Sequence, residues 1–169
     1  AAARVREPVS ARHAWETCYE AGSMLVRALK AEDGLSPELL PWEQPVAILQ
    51  ARDWLERALK AATQLGPGEE LVDAAVMLGR LAFDVRSYDH AAEIGERSWD
   101  ALRVAAPYLL FRDELRAWEA RFCRSLAARL AGLALEDGII GVGGNHLRAI
   151  DLERSAVIAR WLLRAQASA

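Results

Sequence analysis

The chain is predicted to be all-α, with about six helices paired as three antiparallel hairpins. Three observations predict this. Apolar residues recur at alternating steps of four and three through most of the 169 residues, which is the signature of one face of a helix. The prolines, and the Asp33-Gly34, Gly66-Pro67-Gly68 and 138–144 glycines, fall outside or at the start of these periodic segments, as helix punctuation requires. No segment alternates every second residue between turn signals, so a sheet is not expected. An irregular helical bundle is the alternative to ordered hairpins.

The first helix is expected over residues 11–30, where Ala11, Trp15, Cys18, Gly22, Leu25 and Leu29 trace one face and Ser10 stands as N-cap. Asp33-Gly34 ends it, and a loop follows that carries Pro37, Pro41 and Pro45. Pro45 suits the first turn of a second helix, because proline lacks only an N–H that this position leaves unpaired anyway. Its stripe is Ile48, Ala51, Leu55, Ala58 and Ala62, and Gly66-Pro67-Gly68 stops it near Leu65. Glu69-Glu70 open a third helix, with carboxylates at the positive end of the helix dipole. Its stripe is Val72, Ala75, Leu78, Gly79 and Ala82. Ser87 caps a fourth helix facing inward through Ala91, Gly95, Ser98 and Leu102, and Pro107 marks its end. A long fifth helix aligns Phe111, Leu115, Trp118, Phe122, Leu126, Leu130 and Leu133. After a glycine-rich loop, Asn145 can cap a sixth helix ending near Arg164.

Length sets the rest of the organisation. The chain fits a single domain, residues 1–169, with hairpins near 10–65, 69–105 and 107–165. It begins without methionine, so a processed protein or a piece of a longer one is expected. Hydrophobic residues at 53% and charged residues at 27% describe a globular, water-soluble protein rather than a disordered one. No apolar run reaches the ~18 residues of a membrane-spanning helix. A net charge of −3 supplies no basic field, which argues against nucleic acid as a partner. Only Lys30 and Lys60 among the 21 basic residues are lysines, and arginine favours forked contacts with carboxylates. Cys18 and Cys123 lie far apart on apolar stripes, so buried free thiols and a reducing compartment are expected, with cytoplasm as one such place.

Catalytic chemistry is thin. His13 with Glu16, and His90 with Glu93, reverse the order a carboxylate-bridged di-iron bundle uses. Gly141-Val142-Gly143-Gly144-Asn145 precedes a helix and could cradle a phosphate, yet the chain offers no second strand for a dinucleotide fold. No serine or cysteine has a base and an orienting acid readable from spacing. No catalytic residue, metal ligand or cofactor is therefore expected.

One run carries a family resemblance. Leu78-Gly79-Arg80-Leu81-Ala82-Phe83, then Ser87-Tyr88-Asp89-His90-Ala91, then Ser98 resembles a tetratricopeptide repeat. Residues 69–102 carry the match. The pattern has a physical basis: Gly79 and Ala91 are small where two helices cross closely, and Tyr88 fills the gap at the turn. Ser98 stands where the family usually has alanine. A partial copy lies earlier, with Ala21-Gly22 and Leu25 on the first helix and Ala51, Leu55 and Ala58 on the second. The loop between those two is longer than the family's tight turn, and the last hairpin carries no motif.

The resemblance implies a superhelical stack of hairpins that presents the first helix of each pair on a concave, partner-binding face. On the third helix it points to Val76, Arg80, Phe83 and Asp84, with Arg80 meeting a partner's carboxylate. On the first helix it points to Tyr19, with Ser23 and Val26 beside it. Trp42, between Pro41 and Pro45, either plugs the first hairpin or anchors a partner. The expected function is a protein-interaction scaffold for a peptide or partner subunit. The family's chaperone-tail clamp uses paired asparagines, and this chain has only Asn145. Two other classes stay open: a small-ligand or metal-dependent enzyme on a helical bundle, and a structural subunit that would self-associate as a homo-oligomer when isolated.

Overall fold

The computed structural model describes residues 2–30, 44–109, 112–136 and 149–169. Those residues form six α-helices and one 3₁₀ turn, and no strand occurs among them. The helices are α1 (Ala2–Lys30), α2 (Gln44–Leu65), α3 (Glu69–Asp84), α4 (Tyr88–Ala105), α5 (Arg112–Glu136) and α6 (Ala149–Ser168), with the 3₁₀ turn at Ala106–Tyr108. The chain is all-α. Trp42, Phe111 and the 138–145 glycine-rich segment lie outside the described residues.

The punctuation acts as its chemistry dictates. Pro45 sits in the first turn of α2. Gly66 ends that helix at φ +100° and donates its N–H to the Ala62 and Thr63 carbonyls at 3.2 and 3.3 Å. This left-handed cap is a conformation that side chains with a Cβ resist. Ser87 precedes α4, its carbonyl accepting the Ala91 N–H at 3.0 Å. Ser10 is different. The helix runs back through it to Ala2, so Ser10 is an interior residue rather than a cap.

Two compact units are built from this chain, Ala1–Asp84 with Ile94–Leu109, and Val85–Glu93 with Leu110–Ala169. In the first, α1 and α2 run antiparallel. Trp15 of α1 bonds to Glu70, just beyond the end of α2, while Gly22 lies against Leu55 further back along it. The approach at Gly22 is close: a Cβ there would sit 2.7 Å from the Leu55 Cγ. Ala51, Leu55, Ala58 and Ala62 are fully or almost fully buried, so the α2 stripe is core. The expected α3 stripe is core as well, with Val72, Ala75, Leu78, Gly79 and Ala82 all buried. Ser98 and Leu102 of α4 complete this core, both at 0% exposure. The Ser98 hydroxyl cannot remain unsatisfied there, and it donates to the Ala75 carbonyl at 2.7 Å.

In the second unit α5 and α6 also run antiparallel. The start of α5 (Asp113, Arg116) and the end of α6 (Ala167, Ser168) line one open groove of about 830 Å³. Leu115, Phe122, Leu126, Leu130 and Leu133 form the buried stripe of α5. Trp161 of α6 is fully buried and meets Phe122 edge-on at 5.9 Å, while Trp118 stacks on Phe122 at 4.9 Å. Aromatic pairs at such geometries add about 0.5–1.5 kcal/mol beyond the area they bury. Neither cysteine is in a disulfide, Cys123 being buried and Cys18 half-buried, and burial pushes the Cys18 thiol pKa up.

Tyr88, the turn residue of the repeat-like motif, is buried. The bonding partner of its hydroxyl is on α6: it donates to the Arg154 carbonyl at 2.9 Å, and the Arg154 guanidinium covers its ring at 4.6 Å. Arg154 also pairs with Asp89 at 3.5 Å. Arg129 of α5 donates to the Val85 carbonyl at 3.2 Å, fixing the start of this unit's short first segment.

Candidate partner-binding face

On α3, the side away from the core carries Glu69, Asp73, Val76, Arg80 and Phe83, again at steps of four and three. Two stripes of the same period on opposite sides are what an amphipathic helix packed on one face produces. Glu69, Asp73 and Arg80 are exposed, and Val76, Phe83 and Asp84 are half-buried.

The neighbour of this stripe is α1. Arg12 pairs with Glu70 at 2.7 Å, and the Trp15 indole N–H donates to the Glu70 carbonyl at 3.1 Å. Trp15 stacks on Tyr19, with centroids 5.2 Å apart and planes 8° from parallel. One turn further along, Tyr19 lies within electrostatic reach of Asp73 and Arg80. Its hydroxyl pKa is raised, by burial first and then by Asp73, against the opposing pull of Arg27 and Arg80.

Tyr19 and Arg80, singled out separately in the sequence, are thus brought together, with Val76 on the same stripe of α3. Phe83 and Asp84 lie at the C-terminal end of α3. Trp42 is outside the described residues. Ser23 and Val26 turn inward, at 2% and 1% exposure, because α1 packs against both α2 and α3 and buries these positions.

Three contributors escaped the sequence reading. Trp15 falls on the core stripe by spacing, yet it is half-buried and stacked beside Tyr19. Glu70 is tied to Arg12, and its pKa is lowered by its own backbone N–H first and by the Arg12 bond second. The Asp73 carboxyl pKa is raised, by partial desolvation chiefly and by Glu69 and Glu70. The second stripe on α3 was the available signal for Asp73, since its spacing complements the core stripe.

Chemically, the face offers two stacked aromatic rings flanked by charges of both signs. Such rings supply contact area at little cost in side-chain entropy. Among the described residues no group of three His, Cys, Asp or Glu side chains is placed to hold a metal ion. His13 and His90 are both exposed. No described helix is long and apolar enough to cross a membrane. Compared with protein-family models, curated proteins and solved structures, the chain matches none of them.

Proposed function

We propose that the chain is a protein-interaction scaffold that holds a peptide or a partner subunit against the α1–α3 face. In this reading α1 to α4 act as two tetratricopeptide-like hairpins, with α1 and α3 as the first helix of each. The observation that carries it is the direct bridging of α1 to α3 at Glu70, although α2 lies between them in sequence. A stack of hairpins needs its first helices side by side. The second helices are bridged too, by the ion pair of Arg97 on α4 with Glu56 on α2.

Arg80 gives this face a forked donor for a partner's carboxylate, and the Trp15–Tyr19 stack gives it an aromatic anchor. Capture from the native source, followed by titration of the captured protein, tests the reading. Arg80→Glu should weaken binding by on the order of tenfold, because it places like charges opposite each other. Arg80 is exposed, so the thermal midpoint should hardly move. Unchanged binding by the variant would remove the face from consideration. Stoichiometric iron, zinc or manganese in the purified protein would favour a metal-dependent enzyme instead.

A further inference from the structure

The α6 helix is apolar on two opposite sides. Its inner side holds Trp161 and Ala165, both buried. Its outer side holds Leu152, Ala156, Ala159 and Leu163, at steps of four, three and four, and all four are exposed. Leu152 is 58% and Leu163 65% exposed, and Leu162 next to the stripe is 46% exposed. A helix covered on one face only would carry polar residues here. The spacing is instead that of a coiled-coil seam.

We infer that this outer face of α6 pairs with α6 of a second copy of the chain, antiparallel, about a two-fold axis between Ala156 and Ala159. The stripe reads large, small, small, large in both directions. With the helices antiparallel, Leu152 lies level with Leu163 of the second copy and Ala156 level with its Ala159. Isologous contacts require such self-complementarity. The small central pair lets the helices approach closely, and the leucines close the seam at both ends.

Charge selects the same arrangement. Glu153 and Arg160 flank the stripe on one side, both exposed, and Ser155 and Leu162 flank it on the other. In the antiparallel pair Glu153 comes within about 3 Å along the axis of the second copy's Arg160, at 1.5 Å of rise per residue. The two-fold axis makes this contact twice. A parallel pair would set Glu153 and Arg160 against Ser155 and Leu162, with no opposite charges to match. A seam of three turns is short, so the dimer belongs with weak, concentration-dependent ones. The surface lies in the α5–α6 unit and is independent of the α1–α3 face.

Sedimentation equilibrium of the full chain across a wide concentration range tests this. The native chain should show a monomer–dimer equilibrium. Leu163→Glu should abolish the dimer while the helical circular dichroism and melting profile stay native, since the position is exposed. Glu153→Arg alone, and Arg160→Glu alone, should each weaken the dimer by on the order of tenfold. The combined exchange should restore it. A chain that stays monomeric throughout, as it would if another protein or another part of this chain covers the stripe, overturns the inference. So does a dimer indifferent to Leu163→Glu, or single exchanges that the combined one does not rescue. Arg80→Glu should leave this equilibrium unchanged, so the two proposals fail separately.

Discussion

The Ser98 hydroxyl of α4 reaches across the core to the backbone carbonyl of Ala75 on α3, at 2.7 Å and with no exposure to water. The serine thus adds a polar tie between two helices of the same core. Ser98→Ala should destabilise the chain by about 1 kcal/mol, the net value of one such bond. Ser98→Leu should cost more, about 1–3 kcal/mol, through overpacking. Urea unfolding midpoints at constant m-value check both.

Glycine substitutions should separate close packing from helix propensity. At Gly22 an added Cβ meets Leu55 at 2.7 and 2.8 Å from its side chain and 3.3 Å from its backbone nitrogen. Leu55 is fully buried and has little room to withdraw. Gly22→Ala should therefore destabilise by about 1–3 kcal/mol, despite the roughly 1 kcal/mol alanine brings to a helix interior. At Gly132 of α5 nothing lies within 4 Å, and Gly132→Ala should stabilise by up to about 1 kcal/mol. Equal signs for the two variants in thermal melts would contradict the close approach of α1 to α2.

Asp73 illustrates a carboxylate held at a disadvantage. Its folded-state pKa is raised from its value in the usual carboxylate range, by partial desolvation first and by Glu69 and Glu70 second. An acid raised in this way binds its proton more tightly when folded, so it lowers stability once pH rises above that range. Asp73→Asn should stabilise the chain at neutral pH, by no more than about 0.5 kcal/mol at so exposed a position. The gain should vanish in acid, where Asp73 is protonated in both states. Melting midpoints at several pH values read this out.

Tyr88 titrates at the other end of the scale. Burial raises its hydroxyl pKa from 10.0 to about 12, against an opposing pull from Arg154. The folded-state value is the higher one, so the stability it contributes is full below pH 10 and lost as pH rises toward 12. Tyr88→Phe should cost about 1 kcal/mol near neutral pH by removing the bond to the Arg154 carbonyl. The variant should also lack this alkaline limb. Stability curves of the two proteins that stay parallel from neutral pH through the alkaline range would show that the hydroxyl is not held as described.

Helix number and most boundaries were readable from the sequence because each depends on local chemistry. Pro45, Gly66 and Pro107 act within a residue or two of where they stand, and the α3 core stripe is set by period alone. Ser10 misled because a serine before an apolar run is also compatible with a helix already under way. The helix runs back past Pro8 to Ala2, a continuation that proline in a helix interior opposes and that no local signal announces. Partnerships between helices were not readable. Arg12 meets Glu70 across 58 residues, and Tyr88 meets Arg154 across 66. Periodicity records that a face is buried and says nothing about what buries it. The candidate face was half legible for this reason: Arg80 and Tyr19 could be chosen one at a time, whereas Trp15 and Asp73 gain their meaning only from the neighbouring helix.

The α4 helix is divided between the two compact units, Tyr88–Glu93 belonging to one and the remainder to the other. Their sequences are therefore interleaved, and no single cut of the chain yields both units whole. A ribosome making this protein releases the short segment 85–93 well before the rest of its unit, residues 110–169, exists. That segment has to wait for its partners during synthesis, whereas the first unit is complete in sequence as soon as Ile94–Leu109 has followed it.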